Sequence, residues 1–110
     1  MMNRIILAIA IVAAAGAAQA EGNAAKGKTL YTTCAACHGV NAEGNPALNS
    51  PALTGLQDWY MVRQLKNFKE GIRGGNPKDT FGAQMRPMAM TLPDEQAMED
   101  VVAYILTLAD

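Results

Sequence analysis

The chain has one histidine, two cysteines and six aromatic side chains in 110 residues. One imidazole and one pair of thiols cannot supply the four strong protein ligands of a structural zinc site. A net charge of −1 provides no broad basic field, which excludes a nucleic-acid binder that relies on one. Apolar and polar residues nowhere alternate over a strand-length run, so no sheet is expected, and no internal repeat is present. No apolar run reaches the roughly 20 residues that carry a helix across a bilayer. Half of the residues are hydrophobic, too many for a disordered chain and too few for a polytopic membrane protein. The length allows one domain.

That hydrophobicity is unevenly placed. Residues 1–20 begin Met-Met-Asn-Arg, run from Ile5 to Ala18 almost without polarity, and end Ala18-Gln19-Ala20. A basic start, a short apolar stretch and a small-x-small site make a secretion signal cleaved after Ala20. The competing reading is a retained anchor, against which the short, Ala-rich stretch argues. Removal leaves Glu21–Asp110 as one domain with eight basic and ten acidic side chains. Export of this kind leads to a periplasm, where thiols are normally oxidised.

In the remaining chain, three helical stretches stand between Gly- and Pro-rich connections. The first covers about Asn23–Ala36. The second covers about Asp58–Glu70, where Trp59, Val62, Leu65 and Phe68 recur at i+3 and Gly71 is a stop signal. The third covers Pro93–Leu108, with Asp94 and Glu95 at its positive end and a stripe through Ala97, Val101, Tyr104, Ile105 and Leu108. The connections Gly39–Gln57 and Gly71–Leu92 are long for a compact domain unless something organises them. A large internal ligand would do so.

Both cysteines lie in Cys34-Ala35-Ala36-Cys37-His38. A Cys-x-x-Cys pair can be a redox dithiol, but that chemistry expects a βαβ setting which this chain lacks. With histidine directly after it, the pattern is the signature of c-type haem attachment. One helical turn separates two thiols that add across the two haem vinyl groups, and the adjacent imidazole faces the iron. A Cys34–Cys37 disulfide remains open for the haem-free chain.

With these residues in view, the sequence resembles the small class I cytochromes c, within them the monohaem cytochrome c4-like and c553-like domains. The resemblance extends over Gly22–Leu108 and implies an all-α cytochrome c fold, three to five helices wrapped around one covalent haem c. Gly27 and Tyr31 match the Gly-x-x-x-aromatic pattern of the first helix, and Tyr104 matches the aromatic of the last helix that packs there. Pro51-Ala52-Leu53-Thr54-Gly55 matches a Pro-x-Leu-x-Gly segment, which implies that the Pro51 carbonyl accepts the Nδ1 hydrogen of His38. An ordinary turn proline is the plainer alternative.

The family's sixth iron ligand comes from a loop before the last helix, where this chain has Met85, Met88 and Met90. Counting back from Leu92 selects Met85, with Pro87 stiffening the loop behind it; Met88 is the second choice. Met61 and Met98 fit ordinary core packing. The expected iron ligands are therefore His38 and Met85, a pair that favours the ferrous state over bis-His ligation. Leu48, Leu53, Leu56, Trp59, Leu65 and Phe81 are candidates for the haem wall.

Charge is polarised along the chain. Arg63–Arg86 holds six basic and two acidic residues, and Asp94–Asp110 holds five acidic and no basic ones. A basic segment beside the methionine side could steer docking onto an acidic partner. The resemblance implies a periplasmic carrier of single electrons between redox proteins, a membrane reductase or terminal oxidase among them, with no small-molecule substrate. Two other classes stand beside it: a haem enzyme or gas sensor, peroxidase-like, whose methionine leaves the iron, and a dithiol oxidoreductase.

Overall fold

The computed structural model describes residues 22–108. They form helices α1 (Ala24–His38), α2 (Asp58–Lys69), α3 (Thr80–Met90) and α4 (Glu95–Leu106), with a short 3-10 turn at Pro46–Leu48. The all-α expectation holds. Within these residues extended pairing is confined to one antiparallel bridge, Asn45 to Ser50, and no helix is long and apolar enough to cross a membrane. The signal segment expected over 1–20 lies outside the described residues.

The frame is the crossing of α1 and α4. Asn23 caps α1, its side chain accepting from the Lys26 amide at 3.1 Å. At the crossing, a Cβ on Gly27 would lie 1.9 Å from the Asp100 carbonyl oxygen, and one on Gly22 would lie 1.8 Å from that of Glu99. Only glycine permits backbones this close. Tyr31 then stacks against Tyr104, ring centroids 5.4 Å apart and tilted by 47°. Asp100 is buried on α4, and its carboxylate accepts from the Asn23 amide at 2.7 Å and Gln96 Nε2 at 3.0 Å. The sequence pattern marks Gly27, Tyr31 and Tyr104 but not Asp100, although a lone carboxylate inside an apolar stripe is itself a signal of a buried polar contact.

On α4 the expected stripe is present and broader, since Met98 and Val102 are buried with Ala97, Val101 and Ile105. The helix starts later than the expected Pro93, at Glu95, and ends at Leu106 rather than Leu108. Asp94 is the N-cap, accepting from the Ala97 amide at 2.9 Å, and Pro93 precedes it.

On α2 the buried side is Met61, Val62 and Phe68, with Leu65 half-buried, while Trp59 is 54% exposed. An i+3 series drifts around a helix, and nine residues amount to about 2.5 turns. Trp59 therefore falls opposite Phe68 rather than in line with it. The true seam, Met61-Leu65-Phe68 at i, i+4, i+7, includes a methionine that the i+3 series passes over.

The two connections expected to be long loops are organised by the chain itself. Residues 71–92 contain α3, hidden in the sequence by Gly82 and Pro87. Asp79 caps it, accepting from the Gly82 amide at 3.1 Å. Pro87 lies inside the helix, where it removes one ladder bond. Residues 39–57 are organised by their own backbone: Gly44 donates to the His38 carbonyl at 2.7 Å, Asn45 and Ser50 exchange bonds at 2.8 and 3.1 Å, and Leu53 donates to Ala42 at 2.9 Å. Ala42, within that loop, is fully buried.

Candidate haem site

The two thiols and the imidazole occupy the last turn of α1. Cys34 is half-buried, packed against the core, and Cys37 is exposed. Burial pushes the Cys34 thiol above its ordinary pKa. His38, the final residue of the helix, is buried. The chain leaves the helix at once through Gly39, whose φ of +92° suits glycine, and its amide donates back to Ala35 at 2.9 Å. The Tyr31 hydroxyl donates to the Gly39 carbonyl at 2.6 Å, which ties this exit to the α1–α4 crossing. Burial first, and the neighbouring Cys34 second, push the Tyr31 hydroxyl from 10.0 up to about 12.

The loop then returns so that the Pro51 carbonyl lies 2.8 Å from His38 Nδ1. A carbonyl can only accept, so Nδ1 carries the hydrogen and the Nε2 lone pair is left for a metal. Gly44 is the position that allows this return. Its φ is +82°, and a Cβ there would lie 2.6 Å from the Ala52 nitrogen. The structure thus brings Cys34, Cys37, His38 and Pro51 together around one helix end.

Met85 stands on a separate element, α3, as do Met88 and Met90. Met85 is half-buried, while Met88 and Met90 are 37% and 51% exposed. The buried residues of α3 are Gly82 and Ala89, which share a helix face with position 85 at i, i+3, i+7. Met61 and Met98 belong to the core, as expected.

The candidate haem wall divides. Leu53, Leu56 and Leu65 are half-buried against the core, and Leu53 and Leu56 line a cleft of about 340 Å³ with Ile105, Leu106 and Leu108. Leu48, Trp59 and Phe81 are exposed. Trp59 lines a different groove between α2 and α4, with the Arg63 guanidinium 5.0 Å above its ring. An imidazole with one nitrogen fixed, two thiols a helical turn apart, a half-buried thioether on another element and half-covered leucines are of the donor types and apolar character that a covalent haem requires.

Comparison with known proteins agrees with this geometry. Residues 24–109 match the cytochrome c family. The chain is 32% identical over 105 residues to cytochrome c4 of Stutzerimonas stutzeri, covering 94% of this chain and 50% of that protein. It is 39% identical over 84 residues to cytochrome c-554(548) of Halomonas halodenitrificans, covering 76% of this chain and 93% of that protein. With cytochrome c-554(547) of Halothiobacillus neapolitanus it shares 41% over 92 residues, covering 79% of this chain and 98% of that protein. It therefore spans about half the length of the c4 relative and nearly all of the two c-554 relatives. The Cys34-x-x-Cys37-His38 end of α1 and the match along nearly the whole helical domain lead to one conclusion: the chain belongs to the cytochrome c family, as a class I monohaem cytochrome of the c4/c553 kind.

Proposed function

We propose that the protein carries single electrons between redox proteins in the periplasm through one haem c, held by Cys34 and Cys37 and ligated by His38 and Met85. The observation that carries this reading is the 2.8 Å hydrogen bond from His38 Nδ1 to the Pro51 carbonyl, which presents Nε2 as a fixed, more basic ligand. The haem supplies reversible one-electron chemistry when bound. The chain's residues do the rest. Cys34 and Cys37 anchor the macrocycle, His38 is held in one tautomer and orientation, and Leu53, Leu56 and Leu65 exclude water from one side.

Met85 is supported as the sixth ligand by sharing the face of α3 that carries Gly82 and Ala89 and by being less exposed than Met88 and Met90. With His38 and Met85 both holding the iron in either oxidation state, little would reorganise on electron transfer and no position would stand open to a substrate. This separates the carrier from a peroxidase-like or gas-sensing alternative. The test is carbon monoxide binding to the ferrous holoprotein at neutral pH. The carrier binds it slowly and weakly, and ready binding in the folded protein would overturn the reading.

The donor and acceptor follow the charge. A basic run from Arg63 to Arg86 is the surface through which an acidic patch on a membrane reductase or terminal oxidase would be met. Several of these cations have structural contacts as well: Lys66 pairs with Glu95 at 3.4 Å, Arg73 Nη1 reaches Gln64 Oε1 at 2.9 Å and Lys69 donates to the Leu92 carbonyl. Their charge stays at the surface even so. Electron-transfer rates that fall with ionic strength support the steering, and rates that do not change with salt contradict it. Cleavage after Ala20, with Glu21–Asp110 as the working domain, is checked by the intact mass of protein recovered from the periplasm.

A further inference from the structure

Helix α3 sits in the fold on different terms from the other three. Its buried residues, Gly82 and Ala89, are small, so it has no large side chain anchored in the core. Pro87 also removes one of its internal bonds. Polar contacts and close backbone approach hold it instead. At its start, Asp79 accepts from the Gly82 amide through Oδ1 and from the Gly74 amide through Oδ2, both at 3.1 Å. A Cβ on Gly74 would lie 2.2 Å from the Gly82 carbonyl oxygen. In its middle, Arg86 Nε donates to the Phe68 carbonyl at 3.2 Å, and the guanidinium covers Gly71, where a Cβ would lie 3.3 Å from Nη2.

The Phe68 carbonyl is one of the last of α2, at the negative end of that helix, and it accepts from the Gly71 amide at 3.2 Å as well. A cation is favoured at such an end. Arg86 is next in sequence to Met85. It is thus the side chain that joins the middle of the methionine-bearing helix to a helix anchored in the core by Met61, Val62 and Phe68.

We propose that Arg86 is a positioning residue: its Nε–H bond to the Phe68 carbonyl fixes α3 against α2 and thereby keeps the Met85 thioether on the iron. This rests on the reading of Met85 as the sixth ligand. The bond, rather than the charge, is the working part. Glutamine at 86 places an amide nitrogen at the same distance along the side chain as arginine Nε and can donate to the same carbonyl without charge, whereas leucine cannot donate.

The test compares holoproteins carrying Arg86→Leu, Arg86→Gln and, as a charge control, Lys78→Leu. Two readouts are taken: the rate at which cyanide replaces the thioether on the ferric protein, and amide hydrogen exchange in Met88–Met90 of α3. In Arg86→Leu both rise about tenfold, the scale of one hydrogen bond. Arg86→Gln and Lys78→Leu stay within about twofold of the parent. Parent-like rates in Arg86→Leu overturn the proposal, and so do equal rises in Arg86→Leu and Arg86→Gln. Met85→Ala is run beside them. If it loses the ferric thioether-to-iron absorption band while Arg86→Leu is parent-like, the ligand assignment stands and only the positioning role fails. If Met85→Ala keeps the band, both fall.

Discussion

The histidine side of this protein and its methionine side are built by opposite means. On the histidine side, α1 crosses α4 at glycine distance, Tyr31 and Tyr104 stack, Asp100 is buried with two partners, and the loop after His38 bonds back to itself until Pro51 meets the ring. On the methionine side, α3 buries only small residues and is held by Asp79, Arg86 and a glycine contact. The difference teaches a division of labour. The imidazole is fixed by burial and its bond to Pro51, which are hard to perturb locally, and the helix that carries Met85 is placed by a few replaceable polar contacts. The global stability of the domain should therefore lie in the first region and the lability of the ligand in the second.

The largest break in this contrast is expected from Gly27→Ala. A methyl group 1.9 Å from a backbone carbonyl forces α1 and α4 apart, at a cost of about 3 kcal/mol, read as a fall in the midpoint of thermal or denaturant unfolding. Asp100→Ala comes next. It leaves the Asn23 amide without its buried acceptor and lowers stability by about 1–3 kcal/mol in the same measurement.

Tyr31→Phe sharpens the account through pH. Burial first holds the Tyr31 hydroxyl above the 10.0 of an ordinary tyrosine, at about 12 in the chain without haem. Between those values the unfolded chain releases its proton while the folded chain keeps it. This contribution is complete below pH 10 and is lost as pH rises toward 12. Tyr31→Phe should remove that part of the alkaline decline in unfolding free energy and cost about 1 kcal/mol at neutral pH for the lost hydrogen bond. The smallest effect is expected at Lys78, an exposed residue, where Lys78→Gln should change stability by less than about 0.5 kcal/mol.

The same division explains what could be read from the sequence. The histidine side is written in local signals: Cys34-x-x-Cys37-His38, the Gly27–Tyr31 spacing and the Pro51 segment each carry their geometry in a few adjacent residues. The α2 stop at Gly71 and the α4 stripe are equally local. On the methionine side, Gly82 and Pro87 are residues that break helices in isolation, and they mask the local Asp79 cap and the Gly74 contact. The Phe68 carbonyl that receives Arg86 lies outside the segment, so residues 71–92 look like a loop when read alone. Trp59 misleads for a different reason, since an i+3 series imitates a face over two turns and leaves it over three. Asp100 and Arg86 each reach distant backbone, at Asn23 and at Phe68, for which no local spacing exists.

The central claim, a haem held between His38 and Met85, is tested most directly by ferric absorption spectra of the holoprotein carrying Met85→Ala and, in parallel, Met88→Ala. The thioether-to-iron charge-transfer band should vanish in Met85→Ala and persist in Met88→Ala. A band that survives Met85→Ala, or that disappears with Met88→Ala alone, would contradict the account.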